Sequence, residues 1–313
     1  MEQKSLDDCA NRVKTAIGAK SGKVVFGGTS SQLIENLMNA SKQNTVICSE
    51  YEHDSFWRYR FDSVGEIDDI ANLIDNMPES YGRMLVMWQG VNNITGEIFP
   101  IEQIGAICHG FNSFFICDMT AMIGKAPIPA DIDQWCDCAV WSGHKIGTEL
   151  GIGAMWLSDK FNEWLNDFKL HGTPNLAGAM AIADATEDAC KTSTNNYSNY
   201  VGLYIYLSNK LIITDIDFKL ISSNKRTGAI NAIMFDDINA DSLQQYLASK
   251  QIYVGIGGSA CASLHDFRVL NACGLTNDEA SHVVRVSFGE QTTYNDIDEF
   301  VNAVIEYREK FVR

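Results

Sequence analysis

Six short apolar runs punctuate the first half of the chain, and between them the apolar residues move to helical spacing. The runs are KVVFGG (23–28), TVICSE (45–50), RMLVMWQ (83–89), SFFICDM (113–119), DCAVWSG (137–143) and GAMWL (153–157). Strand and helix in alternation predict βαβ units, hence an α/β domain with a mainly parallel sheet. The first unit is explicit: Lys23 to Gly28 ends in two glycines, and Leu33, Leu37 and Ala40 follow on one helix face. Ile101, Ile104 and Cys108 predict another helix, and the alanine-rich stretch Leu176 to Ala189 one that returns across the domain. After about Asn195 the pattern changes. NAIMFDD (231–237) and QIYVGI (251–256) read as strands, ADSLQQYLASK (240–250) and NDIDEFVNAVIEYREKF (295–311) as helices. The last carries Ile297, Phe300, Val301, Val304 and Ile305 on one stripe. A chain of 313 residues exceeds the usual single core. The expectation is a large α/β domain over 1–195 and a smaller α+β domain over 196–313.

Charge and cysteine usage narrow the function classes. A formal net charge of -16 without a dense Lys/Arg cluster disfavours direct nucleic-acid binding, which rests on cations neutralising phosphates. The N-terminus MEQKSLDDCANRVK is charged, and nowhere do about 18 apolar residues run together, so the expectation is a cytoplasmic protein without membrane attachment. Nine cysteines, an odd number without framework spacing, read as reduced thiols, most of them small core residues. Cys136 and Cys138 form a CxC pair, but no further Cys or His stands near in sequence, and no metal site is expected.

The chemistry-bearing segments sit where strands end. SGHK (142–145) places Lys145 after an apolar strand, where α/β sheets bind ligands. A lone loop lysine is ordinarily a solvated charge. Upstream, Asp118 closes SFFICDM; a buried carboxylate there can keep a ring nitrogen protonated, the condition under which pyridoxal phosphate withdraws electrons. Its plain alternative is a turn or cap residue. GGTSS (27–31) lies between strand and helix, an anion site with Thr29, Ser30 and Ser31 as added donors, or simply a helix cap. His53 in EYEHDSF can stack on a flat ring or carry protons. Asn92 and Asn93 in WQGVNNITG, and the HGTPN turn (171–175), are either ligand contacts or turn formers.

In this order the segments resemble the cysteine desulfurases, of the class V pyridoxal-phosphate-dependent aminotransferase superfamily. The resemblance covers nearly the whole chain, through VNNITGEIFPIEQIG, CDMTAMIGKAPI, SGHK with its GIGA strand, GTPN, GIGGSACASL and VVRVSFGEQTT. It implies the type I fold of pyridoxal-phosphate transferases and a short member that starts after the family's LDNAATT-like leading segment. It implies Lys145 as the lysine that holds pyridoxal 5'-phosphate, Asp118 on the ring nitrogen, His53 over the ring and Asn93 at the ring oxygen or substrate. Ser142, His144 and the turn Thr29 to Ser31 would hold the phosphate, and Thr173 would reach the phosphate of the other subunit of a homodimer. Arg285 would take the carboxylate of L-cysteine, a task suited to a bidentate guanidinium. Cys261, after Gly257, Gly258, Ser259 and Ala260, would receive the sulfur as a persulfide for an acceptor protein. Where family members carry Gln three residues after the Asp, this chain has Ala121. Other class V reactions, selenocysteine lyase or aminotransferase, fit the same cofactor residues, and so does a catalytically silent binding subunit.

Overall fold

The computed structural model describes residues 2–41, 45–221, 225–257 and 266–312. The chain divides into two compact units, 1–91 with 99–194, and 92–98 with 195–313.

The first unit begins with α1 (Glu2–Ala16), β1 (Lys23–Gly27), α2 (Ser30–Ala40), β2 (Val46–Ser49), α3 (Asp54–Trp57), β3 (Asp62–Val64) and α4 (Asp69–Asp75). It continues with β4 (Leu85–Gln89), α5 (Ile101–Gly110), β5 (Phe114–Asp118), β6 (Cys138–Ser142), β7 (Gly153–Leu157) and α6 (Asp159–Trp164). Its seven strands form one sheet in the order β1-β7-β6-β5-β4-β2-β3. β7 runs antiparallel to both neighbours, and β2 to β6 and β3 pair in parallel. Each of the six apolar runs contains one of these strands; β3, three residues long and mostly outside the core, carries too little pattern to be read.

Burial on both faces explains why the runs are continuous rather than alternating. On one face Leu85, Met87, Phe114, Ile116, Cys138, Val140, Met155 and Leu157 pack with Leu33, Ile34, Leu37, Phe56 and Phe161. On the other, Trp88, Trp141 and Trp156 are also fully buried. Trp141 donates its indole N–H to Thr186 Oγ1 at 3.2 Å, on the helix α7 (Leu176–Ile212). That helix is far longer than the stretch 176–189 its alanines suggest, and it continues unbroken through Asn195.

The second unit contains β8 (Phe218–Ile221), β9 (Ile230–Phe235), α8 (Ala240–Ser249), β10 (Gly255–Ile256), α9 (Arg268–Ala272), α10 (Asn277–Ala280), β11 (Val283–Ser287) and α11 (Tyr294–Phe311). Its antiparallel sheet has the order β10-β11-β9-β8. α11 buries Ile297, Phe300, Val301 and Val304 and starts with a capping box between Thr293 and Asp296. QIYVGI is strand only at Gly255 and Ile256; Gln251, just past the end of α8, is left-handed with φ 64° and belongs to the turn that leaves the helix.

Candidate active site

In a parallel sheet every carboxyl end points the same way, and ligands gather there. β1, β6, β5, β4 and β2 share one direction, so Gly27, Ser142, Asp118, Gln89 and Ser49 end on one edge, and the turns after them hold most of the predicted residues. The scattered segments GGTSS, SGHK, Asp118 and EYEH therefore share a neighbourhood.

The turn after β1 and the turn after β6 are knitted together. Gly153 of β7 pairs with Gly27 on one side and Ser142 on the other. A Cβ at Gly153 would lie 2.8 Å from the Thr29 carbonyl carbon and 2.9 Å from the Ser30 nitrogen, so only glycine admits this approach. The Ser30 amide donates to Ser142 Oγ at 3.0 Å, and the two hydroxyls are 2.7 Å apart. Thr29 caps α2, its Oγ1 accepting the Gln32 amide; Ser31 is exposed. The Gly28 amide donates to Gln32 Oε1 at 2.7 Å, an oxygen on an exposed side chain that an incoming anion can displace.

Ser142 leads into a short 3₁₀ turn, Gly143–Lys145. His144 Nδ1 is buried without a hydrogen-bond partner among the described residues. Burial, and then the charge of Lys145, pull the His144 pKa down, so its ring is neutral near pH 7 and can donate through one nitrogen. The Lys145 side chain is exposed, while its backbone carbonyl accepts a hydrogen bond from Lys125 Nζ at 3.0 Å.

Asp118 is 7% exposed, and its Oδ1 accepts the Thr120 amide at 2.8 Å. Burial pushes its carboxyl above the ordinary value; the Thr120 hydrogen bonds and the charge of His53 pull it back. His53 caps α3: the Ser55 amide donates to Nδ1 at 3.2 Å, and Ser55 Oγ lies 3.0 Å from the same nitrogen. Just before it, the fully buried Glu52 accepts the Gln89 amide at 2.7 Å through Oε1.

These residues fit pyridoxal phosphate. Asp118 is a buried carboxylate in no ion pair among the described residues, and His144, with its orphaned Nδ1, follows closely on Ser142, whose hydroxyl meets that of Ser30 at the amino end of α2, the donor set an anion calls for. Thr173 is exposed in the loop after α6 and lines a groove of about 950 Å³ with β1, α1 and α2.

Asn93 and Arg285 belong to the second unit and meet there: an Arg285 Nη1 donates to the Asn93 carbonyl at 3.0 Å, and Asn93 Oδ1 is buried without a partner among the described residues. Asn92 builds an Asx turn, its Oδ1 accepting from Ile94 and Thr95. Cys261 lies outside the described residues. Of the eight described cysteines six are buried; burial lifts the half-buried Cys190 to about 12 and Cys273 to about 11. No three metal-ligating side chains cluster among the described residues, and no described helix is long and apolar enough to cross a membrane.

Glu52, Gln89 and Lys125 were not singled out by sequence. Lys125 had a signal in the GK that follows Asp118; Glu52 had only its place beside His53, where a surface glutamate looks the same.

Known proteins are similar to this chain in sequence and in fold. The cysteine desulfurase IscS of Pectobacterium carotovorum is 28% identical over 336 residues, spanning 96% of this chain and 81% of its own. The mitochondrial cysteine desulfurase of Arthroderma benhamiae is 26% identical, over 99% of this chain and 67% of its own. Among solved structures, a NifS-like protein from Rickettsia africae superposes with a TM-score of 0.87 at 21% identity, covering 98% of this chain and 89% of its own, and so shares the fold. The model of the family described as aminotransferase class-V matches residues 2–300. With nearly its whole length inside that match, the chain belongs to the class V aminotransferase family.

Proposed function

We propose that the protein is a pyridoxal-phosphate-dependent cysteine desulfurase. The observation that carries the reading is Asp118, a buried carboxylate held above its ordinary pKa at the same sheet edge as the Lys145 turn. The curated relatives named above support the reaction class.

Lys145 would hold the cofactor, with Asp118 as the partner of its ring nitrogen and His53 against its ring. Ser142, His144 and the turn Thr29 to Ser31 take the phosphate. Asn93 contacts the ring oxygen or substrate, and Arg285 takes the carboxylate of L-cysteine. When bound, pyridoxal phosphate would supply an electron sink for the substrate's Cα. Lys145 Nζ moves the Cα proton. The Cys261 thiolate attacks the substrate sulfur; the S–S bond forms as the substrate C–S bond breaks, with the electron pair left on carbon. That carbon takes a proton and Lys145 Nζ returns the Cα proton, giving L-alanine, while Cys261 retains the sulfur as a persulfide for an acceptor protein. The elevated Cys190 and Cys273 thiols and six buried ones favour Cys261 for this role. Thr173, assigned to the phosphate of a second copy, makes the working form a homodimer. The cytoplasm, a reducing compartment, suits nine cysteines.

Purified protein loaded with pyridoxal phosphate and then freed of unbound cofactor is expected to stay yellow, and Lys145→Ala treated in the same way to be colourless. An equally yellow Lys145→Ala protein would contradict the assignment.

A further inference from the structure

We propose that Glu52 is a positioning residue that sets His53 against Asp118, an inference that rests on the cofactor reading above. β2 and β4 pair from Val46 with Leu85 to Cys48 with Met87. Alternate amides of β4 face β2: the Leu85 amide goes to the Thr45 carbonyl at 3.1 Å, and two steps further comes Gln89. There β2 has ended. The Ser49 carbonyl instead accepts the Glu52 amide at 3.2 Å, and Ser49 Oγ accepts the Tyr51 amide at 3.0 Å.

The carboxylate of Glu52 takes the vacated ladder position, accepting the Gln89 amide at 2.7 Å, and Gln89 Nε2 returns a bond to the Tyr51 carbonyl at 2.5 Å. On the other side of the same strand tip the Gly90 amide donates to the Asp118 carbonyl at 2.8 Å. One strand end is thus clamped between the turn that carries His53 and the strand that carries Asp118. A carboxylate with no solvent exposure is a costly means of closing a turn, since its desolvation must be offset by hydrogen bonds. What it supplies here is an acceptor that reaches across while the chain leaves the sheet, so that His53 follows at once as the cap of α3.

The test combines two readouts on Glu52→Asp, which keeps the charge but shortens the reach, and Glu52→Gln, which keeps an acceptor oxygen at full reach. Hydrogen exchange of the Gln89 amide in the cofactor-free protein is expected to speed up in Glu52→Asp and to stay slow in Glu52→Gln. Pyridoxal-phosphate affinity should fall by about tenfold to a hundredfold in Glu52→Asp, the scale of a misplacement near 1 Å. The pH midpoint of the yellow absorbance should shift with it, and Glu52→Gln should restore both. A Glu52→Asp protein with a protected Gln89 amide, or an unprotected one with wild-type affinity and pH midpoint, overturns the proposal. A wild-type protein that never turns yellow overturns the cofactor reading itself, and the proposal with it.

Discussion

Asp118 concentrates the opposition between stability and function at the scale of a single side chain. An acid whose pKa rises on folding binds more protons folded than unfolded, so stability falls as pH climbs from the ordinary carboxylate range through the raised value. Burial raises Asp118 in this way. Asn at this position keeps the oxygen that accepts the Thr120 amide and removes the charge. The cofactor-free Asp118→Asn protein should therefore melt at pH 7 by roughly 2 °C or more above wild type, with a smaller gain at pH 4, while its cofactor affinity drops. Equal melting temperatures at pH 7 in a thermal scan of the two cofactor-free proteins would contradict this. Single residues were legible in the sequence where a motif framed them, as Ser142, His144 and Lys145 are in SGHK. The cap reading of GGTSS holds at Thr29, whose Oγ1 accepts the Gln32 amide, whereas Glu52 spends its carboxylate on the Gln89 amide across a turn that residue types do not encode.

At the scale of elements, β7 is the wedge that brings the phosphate turn to the lysine turn. Gly153→Ala would drive a Cβ into the backbone of Thr29 and Ser30, atoms that no side-chain rotation can move aside. Its cost should be about 2 kcal/mol in stability, typical of overpacking, together with weaker cofactor binding. Gly110→Ala at the end of α5 meets nothing within 4 Å and serves as the control. Urea titration of both variants checks it; a Gly153→Ala protein as stable as Gly110→Ala would refute the wedge. The six apolar runs disclosed their strands because both faces of the sheet are buried. Strand direction was not legible: GAMWL looks like its parallel neighbours, and only the hydrogen-bond ladder reverses it. β8 and β10 were missed or overextended because short antiparallel strands carry little periodicity.

For the whole molecule, order along the chain was the readable quantity. Candidate residues separated by tens of positions, Ser30, His53, Asp118 and Ser142, come to the ends of like-directed strands because a parallel sheet collects them there. What order left open was the membership of segment 92–98, which groups with 195–313: the Asn92 turn pairs Glu97 with Arg226, and the Ile98 amide donates to the Lys225 carbonyl. Sequential reading assigns Asn93 to the first domain, whereas its contact with Arg285 lies in the second unit. Transfer of sulfur from L-cysteine onto Cys261 can be followed by rapid mixing of cofactor-loaded protein with L-cysteine in the absence of reductant. A burst of about one alanine per chain is expected, with the added sulfur on the peptide containing Cys261 and no such burst in Cys261→Ser. Undiminished alanine formation by Cys261→Ser, or no alanine from the wild type, would contradict it.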